Sequence, residues 1–333
     1  MSAELLTLSM ALSDNERTRP LTQGRFQPQG VRLIPTVVHP SEMFWRQLKY
    51  ADFDVSEMSL SSLFIATARG DRRWVALPIY TSRMFFHTLI LVRTDRGILR
   101  PQDLKGKRVG VPEYQQTAAL WSRGILQHEF GVAAHEIEWF MERGPEKSHA
   151  GATGFKPPAG VRLNQIAAHT NIGEMMAAGE LDATLLYLNS RNLVDRSTID
   201  LDRLDCVKPL FRDRQGETRR YFSKTGIYPI NHTVVMKREL YERHPWLALN
   251  LFHAFVAAKK DVEGEAAQSL QSYFDCGLID PGAQAMLQED PKAYGMKASR
   301  KVIETIARYV HEQGLSERLV GVDELFAAST MDV

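Results

Sequence analysis

Cysteine is scarce in this 333-residue chain: Cys206 and Cys276 stand far apart, with no CxxC pair and no finger-like spacing. That excludes a disulfide framework and a zinc module, and predicts reduced thiols in a reducing compartment, neither of them a nucleophile. An excess of one charge is missing too, since 41 Lys and Arg face 40 Asp and Glu for a formal +1. With no basic stripe interleaved with aromatics, no nucleic-acid partner is expected. No apolar run approaches the ~18 residues of a membrane span. The opening MSAELLTLSMALSDNERTRPL lacks a basic leader, an apolar core and a small-residue cleavage site. A soluble, cytoplasmic protein with no membrane partner is therefore expected. P-loop, GxGxxG, HExxH and GxSxG patterns are absent, and His, Asp and Glu nowhere fall at metal-ligand spacing. Neither a cofactor nor a metal is expected.

What is present alternates strand and helix patterns over a length that suits two domains. Leu5 to Leu12, Val31 to Val38, Phe53 to Met58 and Trp74 to Ile79 read as strands, with helices starting near Ser41 and in SLSSLFIATARG. Farther on, Arg108 to Val111, Glu136 to Phe140 and Ala183 to Leu186 read as strands, and a helix from about Gln115 closes at Gly131. Residues 144–160, rich in Gly, Pro, Lys and His, lack periodicity and read as a surface loop beside a cleft. Beyond Lys237 the pattern is helical. The class is α/β, with loops gathered at the strand ends.

Two stretches organise the chain. Thr225 to Met236, TGIYPINHTVVM, sets an Asn-His pair at the head of an apolar run; Pro78 to Val92, PIYTSRMFFHTLILV, sets His87 and Thr88 at the head of another. If both cross between lobes, their polar residues share one cleft. The division expected is residues 1–92 plus 234–333 for the first lobe and 93–233 for an inserted second lobe. Crossover strands are expected near 86–92 and 226–236.

The segments ILVRTDRGILRPQDLKGKRVGVP and AAGELDATL resemble the two-lobed type II periplasmic-binding-protein-like fold of nitrate, taurine and thiamine-precursor binders. A narrower resemblance, to the 4,5-dihydroxyphthalate decarboxylase family, runs nearly end to end. It is carried by FDVSEMSLSSL, YTSRMFFH, VPEYQQTAALWSRGILQHEFGV, TGIYPINHTVV, HPWLALNLFHAF, EDPKAYG and HEQGLSERLVGVDELFA. It implies a non-oxidative carboxy-lyase acting on a hydroxylated aromatic acid. Two positions depart from the family pattern, which has Arg before His87 and Met before His232, where this chain has Phe86 and Asn231. A guanidinium lost and a carboxamide gained change how a second carboxylate or a ring substituent is held.

Such a reaction without an organic cofactor needs an acid that protonates the ring carbon, a partner for the phenolic proton, and donors for the carboxylates. Histidine suits the first two tasks. His232 is the candidate acid and His87 the candidate partner of the phenol, against the alternative that both merely satisfy backbone carbonyls. Arg83, Arg123 and Arg17 are candidate carboxylate clamps, against the alternative of solvated surface arginines or structural ion pairs, which suits Arg17 better than Arg83. Glu57 is positioned to pair with an arginine or polarise a histidine, and otherwise favours a helix N-terminus. Ser59 caps that helix in this reading and offers a donor, while Tyr114 and Thr117 fall at a helix start that attracts anions. Tyr228 is a candidate ring stacker. The competing class is a solute-binding protein closing on a small aromatic anion, and the number of chains in the functional assembly is left open, a homo-oligomer included.

Overall fold

The structure, a computed structural model, describes residues 5–280, 282 and 290–333. Two mixed sheets organise it. The first has strand order β2-β1-β3-β11-β4, built from β1 (Leu6–Leu12), β2 (Val31–Val37), β3 (Val55–Ser59), β4 (Trp74–Arg83) and β11 (Ile230–Lys237). β1 runs parallel to β2 and β3, whereas β11 enters antiparallel between β3 and β4. A strand flanked on both edges and covered on both faces needs an unbroken apolar run. β11 supplies one, with Val234, Val235 and Met236 all fully buried.

The second sheet has order β10-β5-β9-β6-β7-β8, from β5 (Leu91–Arg93), β6 (Arg108–Val111), β7 (Glu138–Met141), β8 (Arg162–Gln165), β9 (Ala183–Thr184) and β10 (Val207–Pro209). The chain thus leaves the first sheet after Arg83 and returns to it at Ile230. Both crossovers differ from the expected strands. Residues 86–89 form a 3-10 turn, because the Thr88 hydroxyl donates back to Phe85 O at 2.8 Å and closes the backbone locally. The return runs through a helix, Arg214–Thr225, ended by Gly226 at φ 65°, and β11 lies wholly in the first sheet.

Three helices bring their N-termini to the groove between the sheets: α2 (Pro40–Tyr50), α3 (Leu60–Ala68) and α4 (Thr117–Phe130), the short α1 (Arg19–Thr22) preceding them. The cap of α2 is His39; its Nδ1 accepts from Ser41 N at 3.4 Å, and Pro40 fills the first helical position. Gly131 ends α4 in the left-handed region, as expected. The expected loop 144–160 contains a short helix, α5 (His149–Thr153), with Ser148, His149 and Ala150 buried. Five residues show no periodicity. Capping bonds hold them instead: Ser148 Oγ accepts from Gly151 N at 2.9 Å, and the Glu113 carboxylate accepts from His149 N and Ala150 N.

The C-terminal part is helical, as expected. The long helix Trp246–Asp275 sets Leu247, Leu251 and Phe255 against Met10, Leu77 and Val234 of the first sheet. The helix Arg300–Glu312 packs on α4, where a Cβ at Gly124 would run into the ring of Tyr309. Among the described residues no helix is long and apolar enough to cross a membrane.

Candidate active site

His232 sits near the start of β11, opposite Ser59 of β3 and Ser82 of β4. The register between β11 and β4 slips on both sides of His232. Such an irregularity re-aims side chains that strict alternation would send to opposite faces. Asn231 and His232 consequently meet, Nδ2 to Nε2 at 2.8 Å. On the other side of the ring, Nδ1 lies 3.1 Å from Oε2 of Glu57, a carboxylate with no exposed side-chain surface. Glu57 is fully used: its Oε1 accepts from Ser13 N at 2.7 Å and Ser13 Oγ at 2.6 Å, and its Oε2 from Thr81 Oγ1 at 2.7 Å. Burial would raise its pKa, but the bond and charge of His232 and the Ser13 and Thr81 donors outweigh it and hold the carboxyl below its ordinary range. The imidazole therefore donates Nδ1–H to a fixed anion and keeps Nε2 for exchange. Asn231 serves both states of Nε2, since a carboxamide donates in one orientation and accepts in the other.

Two chambers open at His232. The inner one, about 360 Å³, has apolar walls from Phe44, Phe86, Leu89 and Leu186, and polar groups from Ser59, Gln116, Thr117, Arg143, His149 and Asn231. Flat apolar walls with a few convergent polar groups suit a planar anionic ring. The outer one, about 690 Å³, includes Ser13, Asn15, Arg17, Arg83 and Lys292, and shares His39, Pro40, Ser82 and His232 with the inner. The N-termini of α3 and α4 meet at the inner chamber, Ser59 Oγ lying 3.0 Å from Thr117 Oγ1. Ser59 is the N-cap of α3 by position, yet its hydroxyl bridges to Thr117 and makes no cap bond to its own helix.

Arg143, from the loop after β7, is the guanidinium of the inner chamber. It donates Nε to Asp195 Oδ1 at 2.7 Å and Nη2 to Ser41 Oγ at 2.6 Å. Burial pushes the Asp195 carboxyl up, but the Arg143 charge and hydrogen bonds from Arg143, Ser41 and Asn192 bring it down to about 2. Among the described residues nothing accepts from Arg143 Nη1, which leaves it for a ligand. Glu113, under the same loop, is pushed up to about 7 by burial, against the Arg143 charge and the His149 and Ala150 amides. His149 lies well below its ordinary range because of burial and the Arg143 charge.

No family model matches the chain. A curated relative, 4,5-dihydroxyphthalate decarboxylase of Comamonas testosteroni, is 33% identical over 330 residues, 98% of each chain. The chain belongs to the 4,5-dihydroxyphthalate decarboxylase family. The same-named protein of Pseudomonas putida is 41% identical over 180 residues, 54% of this chain and 70% of the relative. Both names describe a carboxy-lyase. Among solved structures, the alkanesulfonate-binding protein SsuA of Xanthomonas axonopodis pv. citri superposes with TM-score 0.55 at 14% identity over 98% of both chains. The aliphatic sulphonate binding protein SsuA of Escherichia coli gives 0.53 at 12%, over 98% of this chain and 99% of that one. The fold of this family member is thus periplasmic-binding-protein-like, as the resemblance implied.

Within that frame the expected residues divide. His232, Asn231, Ser59, Thr117 and Phe86 line the inner chamber, and Arg17 and Arg83 the outer. Arg17 donates Nη2 to Thr81 O, while its buried Nε and Nη1 find no partner among the described residues. Arg83 is committed to Ala293 O and Ser299 Oγ, both at 2.8 Å. Five expected residues line neither chamber, and of these Glu57 still reaches the site through its contact with His232 Nδ1. His87 turns away behind Phe86, fully buried between Phe211 and Tyr221, with Nε2 3.0 Å from Glu217 Oε1. The Arg123 guanidinium lies 3.8 Å over the Tyr114 ring and donates to Tyr114 O and Gln313 Oε1, so both residues are core. Tyr228 stacks on Phe85 at 4.7 Å. Arg143, Asp195, His149 and Phe44 escaped the sequence reading; the first three lie in loops or a short helix whose partners are distant in the chain, and Phe44 is a buried residue of α2. Among the described residues no three His, Cys, Asp or Glu side chains group as metal ligands.

Proposed function

We propose that this chain removes one carboxylate from a hydroxylated benzene dicarboxylate of the 4,5-dihydroxyphthalate kind, by protonating the ring carbon that bears it. The observation that carries the reading is the imidazole of His232, backed by buried Glu57 and open to a chamber of ring-binding character. In the proposed step, protonated His232 gives its Nε2 proton to the ring carbon, and the Glu57 charge stabilises the imidazolium before transfer. The hydroxyl para to that carbon releases its proton and the ring becomes a dienone. The ring-to-carboxylate bond then breaks, its electrons restore the aromatic ring, the oxygen regains its proton, and carbon dioxide leaves. One solvent proton is consumed in recharging His232. Arg143 Nη1 and the Gln116 amide are the proposed holders of carboxylate in the inner chamber, and Arg17 in the outer.

Family membership supports this activity, since both curated relatives carry the decarboxylase name. A cytoplasmic location belongs to the same proposal and fits the unpaired Cys206 and Cys276. The test is carbon dioxide release, with product identification, from purified protein given hydroxylated mono- and dicarboxylates, with and without chelator. Release from a hydroxylated phthalate supports the reading. Tight binding without release across the panel overturns it in favour of a solute binder.

A further inference from the structure

Besides His232 and His39, whose Nδ1 accepts from Ser41 N, the inner chamber is lined by a buried imidazole that the proposed reaction has not yet used. His149, 1% exposed, stands at the start of α5 on the second lobe. Its ring meets Phe44 edge-on with centroids 5.8 Å apart, and His232 meets the same Phe44 at 4.7 Å. The two imidazoles thus flank one aromatic wall of one chamber. Nδ1 lies 3.0 Å from Ser62 Oγ, which accepts from Gln115 Nε2 at 3.3 Å and donates to Ser59 Oγ at 3.3 Å. A hydroxyl has one hydrogen; with that of Ser62 on Ser59 Oγ, the tautomer assigned to His149 is Nδ1–H, and its lone pair is on Nε2. That nitrogen is buried with no partner among the described residues. A buried acceptor left bare is the exception in folded proteins and calls for a donor from elsewhere.

The chemistry of the chamber narrows what that donor is. The free nitrogens of Arg143 and Gln116 donate, and the oxygens of Gln116, Asn231, Ser59 and Thr117 can accept a hydrogen bond but are too weakly basic to take a proton. Taking the proton off a substrate hydroxyl needs a basic atom, and His149 Nε2 is a buried ring nitrogen of this chamber with no partner among the described residues. We infer that His149 Nε2 accepts the para-hydroxyl proton of the ring as His232 protonates the ring carbon, and returns it to oxygen when carbon dioxide leaves. This rests on the decarboxylase reading and gives His149 the part for which the sequence offered His87. The proton is lent and returned, so His149 ends each turnover as it began and the overall reaction still consumes one proton. Burial and the Arg143 charge keep the ring neutral and ready to accept. A weak base suffices, because a hydroxyl on a carbon-protonated ring is strongly acidic.

The test compares wild type with His149→Asn, which keeps a polar group near Ser62 and removes the accepting nitrogen, and with Ser62→Ala, which keeps the ring. Turnover of 4,5-dihydroxyphthalate and inhibition by unsubstituted benzene-1,2-dicarboxylate, which has no hydroxyl, are both measured. The expected result is a fall in kcat of about 10²–10³-fold for His149→Asn. The inhibition constant of the unsubstituted diacid should stay within about threefold, and Ser62→Ala should lose only about tenfold in kcat. A kcat for His149→Asn within about threefold of an active wild type overturns the inference and leaves the decarboxylase reading standing. Inhibition weakened as much as kcat overturns it in favour of a packing role. A wild type that releases no carbon dioxide overturns both.

Discussion

Asp195→Asn probes the piece of the site that sequence reading did not foresee. The Arg143–Asp195 pair is dry, its side chains 2% and 1% exposed, with Nε and Oδ1 2.7 Å apart. Charge centres about 4 Å apart in an effective dielectric of about 20 attract by about 4 kcal/mol. Removing one member of a buried pair costs about 3–5 kcal/mol, because the other stays buried and uncompensated. Asparagine keeps an acceptor for Nε, so a loss of about 3 kcal/mol is expected in equilibrium urea unfolding. The same change frees the guanidinium from its aim into the inner chamber, and KM for a dicarboxylate should rise about tenfold or more. The double variant Arg143→Met/Asp195→Leu should recover most of the stability and none of the binding. A single variant that unfolds within about 1 kcal/mol of wild type, with KM unchanged, would refute the assignment of the pair as both strut and anchor.

Acid titration follows from the same carboxylate. Held at about 2 against an ordinary 3.8, the Asp195 carboxyl has a depressed folded pKa, so its contribution is fully present above about pH 4 and is lost as pH falls toward 2. The loss is about 2 kcal/mol, and denaturation midpoints measured from pH 6 to 2.5 should steepen there in wild type and flatten in Asp195→Asn. Glu57→Gln should lower kcat by about 10²–10³-fold while circular dichroism stays native, because the imidazolium loses its buried counter-charge; steady-state rates at neutral pH check it. Gly124→Ala should destabilise by about 1–3 kcal/mol, since the added methyl meets the Tyr309 ring. Its KM should not move, which separates packing under α4 from the cleft.

The parts of the fold that could be read from sequence are those whose signal is local. The run TVVM announces a strand buried on both faces, and a polar pair at its head marks a place where chain leaves the core. Gly131 announces a helix end for the same reason, a left-handed residue at a fixed place. His87 misled because a strand was expected through 86–92, and strand spacing would have faced it to the cleft. One hydroxyl bond from Thr88 makes that piece a 3-10 turn, which sends Phe86 to the cleft and His87 to Glu217. Arg123 stacks over the Tyr114 ring and donates to Tyr114 O from a stretch of α4 buried all round, where periodicity gives no warning of which side faces ligand. Arg143, His149 and Asp195 carry no local signature, since their meaning comes from partners dozens of residues away. The register slip that turns Asn231 and His232 to one side is likewise a property of the pairing with β4.

The measurement that reaches the central claim most directly is carbon dioxide release from 4,5-dihydroxyphthalate by wild type and His232→Asn, with binding of benzene-1,2-dicarboxylate followed in parallel. The account predicts release by wild type, a fall of about 10³-fold or more in the variant, and diacid affinity within about threefold. A variant that releases carbon dioxide at the wild-type rate would contradict His232 as the ring-carbon acid.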